Sequence, residues 1–308
     1  SVGGMLDSIG GNIRVGKSDY FVTEACEYTN SFLKFFPHVA VITNIEEDHL
    51  DFFKDIDDIR HSFRRFADIL PADGFLIINK GIDNVDKFTE GLDCHVITFG
   101  ADNSADYSYT DVVYDELGRG SYTLLKKGQK CGQVSLGVVG EHNILNSLSV
   151  IALMDILQID SDTVLKALST FSGTDRRFEY KGEVGGVTVL DDYAHHPQEL
   201  AATIRSVRLL YPDSHVIAAF QPHLYSRTRD FVDDFARVLS QLDEVALLPI
   251  YPAREEPIAG VTSEWLMTKI HTKRVLASPA SLPKYLRLRL QQCREAGQKL
   301  VVLTMGAG

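Results

Sequence analysis

Short runs rich in Val, Ile and Leu recur along this chain, and longer segments whose apolar residues return with helical period lie between most of them. Strands separated by helices pair most readily side by side in one direction, with the helices covering the sheet, so the pattern predicts an α/β fold with parallel sheets. The runs expected as strands are Tyr20–Thr23, Val39–Thr43, Phe75–Ile78, Val96–Thr98, Val187–Leu190, Val216–Phe220, Val245–Leu248 and Leu300–Thr304. Helices are expected over Ile56–Ile69, Asn143–Leu157, Asp162–Ser169, Pro197–Leu210, Arg229–Gln241, Ser263–Lys269 and Leu282–Ala296. From Tyr107 to Gln133 polar and apolar residues alternate instead, with Gly118, Gly120, Gly128 and Gly132 among them, which predicts a small antiparallel insertion decorating the first domain.

A chain of 308 residues exceeds one ordinary core and predicts two domains. The polar stretch Phe171-Ser172-Gly173-Thr174-Asp175 follows a helical segment and precedes a β-rich one, so the division is expected as 1–173 and 174–308. No apolar run approaches the ~20 residues of a membrane helix, and no membrane partner is expected. The net charge of -11 repels polyanions, which argues against a nucleic-acid partner. Cys26, Cys94, Cys131 and Cys293 lack zinc-site spacing and disulfide density, and no signal peptide opens the chain, so a cytoplasmic location is expected. The chain begins with Ser1 rather than Met and stops at Gly308 just after an apolar run; both ends are expected to be cuts in a longer protein.

In open parallel sheets ligands gather beyond the carboxyl ends of the strands, where loops and helix N-termini converge. Here polar clusters follow the expected strands: Glu24 to Glu27, Asn44 to His49, Asp191 to Pro197, Gln221 to Arg229, and Tyr251 to Glu256. Glu24, Asp48 and His49 offer donors for a divalent ion on phosphates, and a preference of Mg²⁺ for oxygen ranks Glu24 and Asp48 above His49; the same acids serve equally as caps of turns and helices. Asn143 and Asn146 share one helical face and can read an adenine edge, or act as an N-cap and a solvated residue. Arg177, just past the boundary, can reach phosphates or stand idle at the surface, and Ser226-Arg227-Thr228-Arg229 after a strand makes an anion site. Asp191 and Asp192, taken alone, read as caps, and His195-His196 lacks the spacing of a chelating pair.

Taken in order, these stretches resemble the Mur ligases, and within them the branch that joins L-alanine to UDP-N-acetylmuramate. The matching text is Glu24-Ala25-Cys26-Glu27-Tyr28-Thr29-Asn30-Ser31-Phe32, Thr43-Asn44-Ile45-Glu46-Glu47-Asp48-His49-Leu50-Asp51, Gly140-Glu141-His142-Asn143 with Asn146, Arg177-Phe178-Glu179, Asp191 to Pro197, Phe220-Gln221-Pro222-His223, Tyr251 to Pro257, and Leu303 to Gly308, spread over the whole chain. The resemblance implies a central P-loop-type ATPase domain, incomplete at its N-terminus, followed by a Rossmann-like C-terminal domain. It implies ATP and Mg²⁺ as cofactors, UDP-N-acetylmuramate and L-alanine as partners, and a monomer or weak homodimer. Glu24 and His49 look like the metal pair, which reverses the oxygen-only ranking. Asn143 and Asn146 match the helix beside the adenine. Arg177 and Asp192 match nucleotide contacts, and Tyr193, His195, His196 and Arg227 match residues that engage the amino acid and the muramoyl carboxylate. His223, Arg254 and Glu255 lie in matching motifs and are expected at the substrate.

What the resemblance implies of the chemistry is an acyl phosphate made from the muramoyl carboxylate and attacked by the amine, with positioning and charge neutralisation in place of a protein nucleophile, and closure about Gly173 as the gate. The text departs from the family in three places. Gly10-Gly11-Asn12 and Gly16-Lys17-Ser18 lack the strand and helix of a phosphate-binding loop, so the chain by itself is expected to bind ATP weakly and to be inactive. Leu224 stands where many members carry arginine. The region after His49 offers Arg60, Arg64 and Arg65, and no carbamylated lysine is expected. Other expectations open to the sequence are a murein tripeptide-recycling ligase, which the text from Tyr28 to Phe36 disfavours, a folate-polyglutamate synthetase, which the text from Asp191 to Pro197 disfavours, and a fragment that binds ligand without catalysis.

Overall fold

The computed structural model describes residues 1–6, 9–50 and 52–307, so Asp51 and Gly308 of the matching motifs lie outside the described residues. The chain divides into two compact units, Ser1–Ser172 and Gly173–Gly308, each built round its own six-stranded sheet.

In the first unit, β1 (Val39–Ile42), β2 (Phe75–Asn79) and β3 (His95–Phe99) run parallel, joined through α1 (Ile56–Asp68) and α2 (Val85–Thr89). The Asp55 carboxylate accepts the Asp58 N–H at the start of α1, and Asp57 and Asp58 add negative charge where the helix dipole favours it. The helix turns Ile59, Phe66 and Ala67 into a core with Phe32, Ile42, Leu76 and Ile78. The stretch expected to decorate this domain is instead half of its sheet. β4 (Tyr107–Tyr114), β5 (Arg119–Lys126) and β6 (Gln129–Val139) follow β3 in the order β1-β2-β3-β4-β5-β6, and Phe99 pairs with Tyr107. The reason is burial: alternation along β5 and β6 sends Tyr122, Leu124, Val134 and Leu136 to one face, and α3 (Glu141–Ile156) covers that face with Ile144, Leu148 and Ile151. The following helix, α4 (Ser161–Thr170), is capped by Asp160 and adds Val164.

Tyr20–Thr23 is not a strand: Tyr20, Phe21 and Val22 are 56%, 79% and 66% exposed, and the segment belongs to neither sheet. β-propensity yields a strand only where a neighbour completes the ladder, and here the backbone of Val22 and Glu24 meets Ser1 instead.

The second unit contains β7 (Glu179–Val184), β8 (Val187–Asp192), α5 (Pro197–Leu210), β9 (His215–Phe220), α6 (Tyr225–Asp230), α7 (Val232–Leu239), β10 (Glu244–Leu247), α8 (Ser263–Lys269), β11 (Lys273–Leu276), α9 (Leu282–Glu295) and β12 (Leu300–Met305). Strand order is β11-β10-β9-β12-β8-β7, parallel throughout except for the β7–β8 hairpin. Helices on both faces explain why β9 and β10 are apolar along nearly their full length. The single helix expected over Arg229–Gln241 is two, broken at Phe231, whose φ of -113° leaves the helical range. The break lets α7 aim Val232, Phe235, Ala236 and Leu239 at the core while α6 keeps Arg227 at the rim of the sheet. Among the described residues no helix is long and apolar enough to cross a membrane.

Candidate active site

In the second unit the expected site residues gather beyond the carboxyl ends of β8, β9 and β10. β8 ends in Asp191 and Asp192, and the chain crosses Tyr193 to His196 before α5 begins at Pro197. Glu199, in the first turn of α5, accepts the backbone N–H groups of His195 at 2.9 Å and His196 at 3.1 Å, which fixes both histidines relative to the helix start. Burial pushes the Glu199 carboxyl up, but His195, these N–H bonds and Arg177 outweigh it and hold it below the usual carboxylate range. Glu199 was not among the residues singled out from sequence. The signal available was its place three residues after His196, the capping-box spacing.

Asp192 is 7% exposed and turned inward. Its carboxylate accepts the N–H of Ala194 at 2.8 Å, the N–H of Phe178 at 3.0 Å and the Thr203 hydroxyl at 3.1 Å. It therefore ties the strand end, the segment before β7 and α5 into one piece, and burial raises its pKa against the pull of those bonds. Asp191 receives Arg176 Nε at 3.1 Å, and Arg176 also donates to the Gly306 carbonyl at 2.6 Å. Arg176 and Arg177 lie 5.1 and 5.5 Å from the Tyr193 ring, and Arg177 approaches Glu199 at 3.5 Å. Arg177 keeps more than half of its side chain exposed, open to an anion.

His195 Nδ1 lies 3.0 Å from the Tyr193 carbonyl, and its ring meets the ring of His223 edge-on at 5.4 Å. His223, after β9, stacks on Tyr251 and lies 3.2 Å from Arg227 through Nδ1. Burial, with His195, Arg227 and Arg254 nearby, lowers the His223 pKa to about 4, so this imidazole is neutral at pH 7. Since a guanidinium only donates, Nδ1 accepts from Arg227 and the proton sits on Nε2. Arg227 itself is 6% exposed. The Glu255 carboxylate accepts both the Ser226 N–H and the Ser226 hydroxyl, so this residue anchors the start of α6. Leu224, where an arginine was the family expectation, is 3% exposed with a φ of 68° and adds an apolar wall.

In the first unit, the Glu24 carboxylate accepts the Gly3 N–H at 2.6 Å. His49 Nε2 lies 3.2 Å from Glu27 and 3.8 Å from Asp48, and Tyr28 lies against its ring at 4.6 Å. Among the described residues no group of three or more His, Cys, Asp or Glu stands ready to hold a metal ion. Asn143 donates to the Val139 carbonyl at 2.8 Å, and Asn146 is exposed one turn further on. The N-cap of α3 is Gly140, with a φ of 101°, which corrects the N-cap alternative for Asn143. Neither Gly10-Gly11-Asn12 nor Gly16-Lys17-Ser18 leads into a helix.

The chain thus consists of two α/β units, one of which sets arginines and a neutral imidazole, groups chemically suited to anions, at the strand ends of its sheet. Residues 8–154 match the model of the Mur ligase middle domain, and residues 176–308 that of the Mur ligase, glutamate ligase domain. The chain belongs to the Mur ligase family. It is 51% identical over 313 residues to the UDP-N-acetylmuramate–L-alanine ligase of Lachnospira eligens, an alignment covering 100% of this chain and 67% of that protein. The UDP-N-acetylmuramate–alanine ligase of Thermotoga maritima shares the fold at a TM-score of 0.76 and 24% identity, over 99% of this chain and 64% of that one. A MurF ligase of Thermotoga maritima in complex with ADP shares it at 0.66 and 21% identity, over 88% of this chain and 58% of that one. The chain spans about two thirds of the length of the curated relatives it matches.

Proposed function

We propose that this chain is the middle and C-terminal part of an ATP-dependent ligase that joins L-alanine to the carboxylate of UDP-N-acetylmuramate, in the cytoplasmic synthesis of peptidoglycan precursors. The observation that carries the reading is the 51% identity along the whole chain to a relative named for that reaction. The rim of the second unit supports it, since Arg227 and His223 suit a carboxylate and Arg177 suits phosphate oxygens. ATP supplies the phosphoryl group that activates the carboxylate, and Mg²⁺ offsets the charge of the phosphates.

The chain's own residues bind and orient. Arg227, held by His223, receives the muramoyl carboxylate. Tyr193 and His195 line the approach of the amino acid, with Arg254 beside His223 adding positive charge. Asp192 and Glu199 keep the intervening loop in place rather than touching ligand. Asn143 and Asn146 form the adenine-facing surface of the first unit. His49, whose Nδ1 is buried with no hydrogen-bond partner among the described residues, and Glu24, its partner in the family resemblance, are the residues that would hold Mg²⁺. Mg²⁺ keeps several waters and uses few protein ligands, so a sparse donor set fits.

The test is phosphate release from ATP with both substrates, run on this chain and on the chain extended upstream to the length of its relatives. Turnover is expected from the extended chain alone, and only with L-alanine and UDP-N-acetylmuramate together. Equal turnover with a peptide in place of L-alanine, or none with either, overturns the assignment.

A further inference from the structure

The imidazole of His49 presents an asymmetry that its sequence neighbours do not explain. Nε2 lies 3.2 Å from Glu27, while Nδ1 is buried with no hydrogen-bond partner among the described residues. The backbone is pinned as well: its carbonyl accepts the N–H groups of Phe52 and Phe53 at 2.8 and 2.9 Å, its own N–H donates to Asp48 at 2.7 Å, and its φ is 52°. A non-glycine residue in the left-handed region carries strain that the surrounding structure must hold in place, a pattern concentrated at functional sites. The Tyr28 ring, 4.6 Å away, restricts the imidazole further.

A carboxylate can only accept, so Glu27 selects the tautomer with the proton on Nε2. In that tautomer Nδ1 carries a lone pair, and a buried lone pair without a donor is a costly arrangement unless a ligand takes it up. Histidines that bind metals characteristically hand their other ring N–H to a carboxylate, which fixes the ring and makes the ligating nitrogen more basic. Glu27 and His49 have that relation.

We propose that Glu27 is the positioning residue of this centre: it fixes His49 as the Nε2–H tautomer, and Nδ1 is the atom that binds the divalent ion. The identity of the ion rests on the ligase reading; the tautomer and the role of Glu27 do not. Glu27 thereby acts through the imidazole, and its neighbour Glu24, whose carboxylate engages Gly3, remains the separate oxygen donor.

The experiment uses this chain labelled with ¹⁵N in its histidines, with the His49 signals assigned by their loss in His49→Gln. Long-range proton–nitrogen spectra read which nitrogen is protonated, and Mn²⁺ serves as the probe ion because it broadens nuclei near it. The expected result is a protonated Nε2 in the metal-free chain and selective broadening of Nδ1 on adding Mn²⁺. Glu27→Ala should mix the tautomers and weaken Mn²⁺ about 10- to 100-fold. Glu27→Gln, which keeps an acceptor oxygen, should restore the tautomer and most of the affinity. A proton on Nδ1, or a tautomer unmoved in Glu27→Ala, overturns the role of Glu27. The expected tautomer without any effect of Mn²⁺ on His49 overturns the assignment of Nδ1 as ligand, and neither result touches the amino-acid specificity tested by phosphate release.

Discussion

Replacing Asp192 by alanine separates a residue that holds the fold from one that waits for nucleotide. The carboxylate satisfies two backbone donors, Ala194 N–H and Phe178 N–H, and the Thr203 hydroxyl. Thr203 keeps a second acceptor, the Glu199 carbonyl at 3.0 Å, so it is not stranded. The two backbone groups are. At about 1–3 kcal/mol for each buried donor left unmade, Asp192→Ala should cost about 2–6 kcal/mol, a large part of the ~5–15 kcal/mol that holds a domain together. With roughly 3–4 °C per kcal/mol for a unit of this size, its melting temperature should fall by about 6–24 °C. Asp192→Asn should fall between, because the amide keeps one acceptor but turns an NH₂ toward an N–H. Circular dichroism melts of the ligand-free chain measure this directly. An acid whose only task is to meet nucleotide would change stability by less than about 0.5 kcal/mol, so an Asp192→Ala melt within about 2 °C of the unaltered chain refutes the reasoning. The pH dependence gives a second check. The pKa of Asp192 is raised by burial, so the folded state holds its proton more tightly than the unfolded state. Stability contributed by this group is therefore greatest at low pH and falls as pH rises through the interval from the ordinary 3.8 upward; the variant should lose that slope.

His223 titrates in the opposite sense. Its pKa is lowered to about 4 from 6.5, so the unfolded chain binds the proton more readily, and stability should rise with pH between about 4 and 6.5; denaturant midpoints across that range should flatten in His223→Asn. Arg227→Ala in the extended, active chain should weaken UDP-N-acetylmuramate about 10- to 100-fold, the loss of a charge-assisted hydrogen bond, with Arg227→Lys recovering only part because one ammonium cannot match a guanidinium fork; titration calorimetry reads both. Gly74 sits where an added Cβ would come within 2.7 Å of the His38 carbonyl oxygen and 2.9 Å of the Pro71 ring, so Gly74→Ala should destabilise the first unit by about 1–3 kcal/mol, seen as a lower melting temperature.

Much of the architecture was legible because it is local. β9 and β10 are apolar along most of their length, and a helix such as α5 announces itself through Pro197 at its first turn and apolar residues at helical spacing. Polar clusters follow β8, β9 and β10 in the sequence, and the sheet gathers them at one rim of the second unit. What the sequence hid has a common cause. β7 (EYKGEV) and β11 (KRVL) are edge strands, and an edge exposed to water needs little hydrophobic signal. Tyr20–Thr23 carries that signal and still forms no strand, because a ladder requires a partner that only the assembled fold can provide.

The same division runs through the site. The sequence by itself determined which residue types stand after each strand, and with them the resemblance to the family. Only the tertiary structure decided which partners these groups meet within the protein: Asp192 turned inward to backbone donors, Glu255 onto Ser226, Glu199 beneath two histidines, and Glu27 against His49. A carboxylate's role depends on the donors within about 3 Å of it, and contacts such as Thr203 on Asp192 or Glu255 on Ser226 join residues distant in the chain, so spacing along the chain could not assign them.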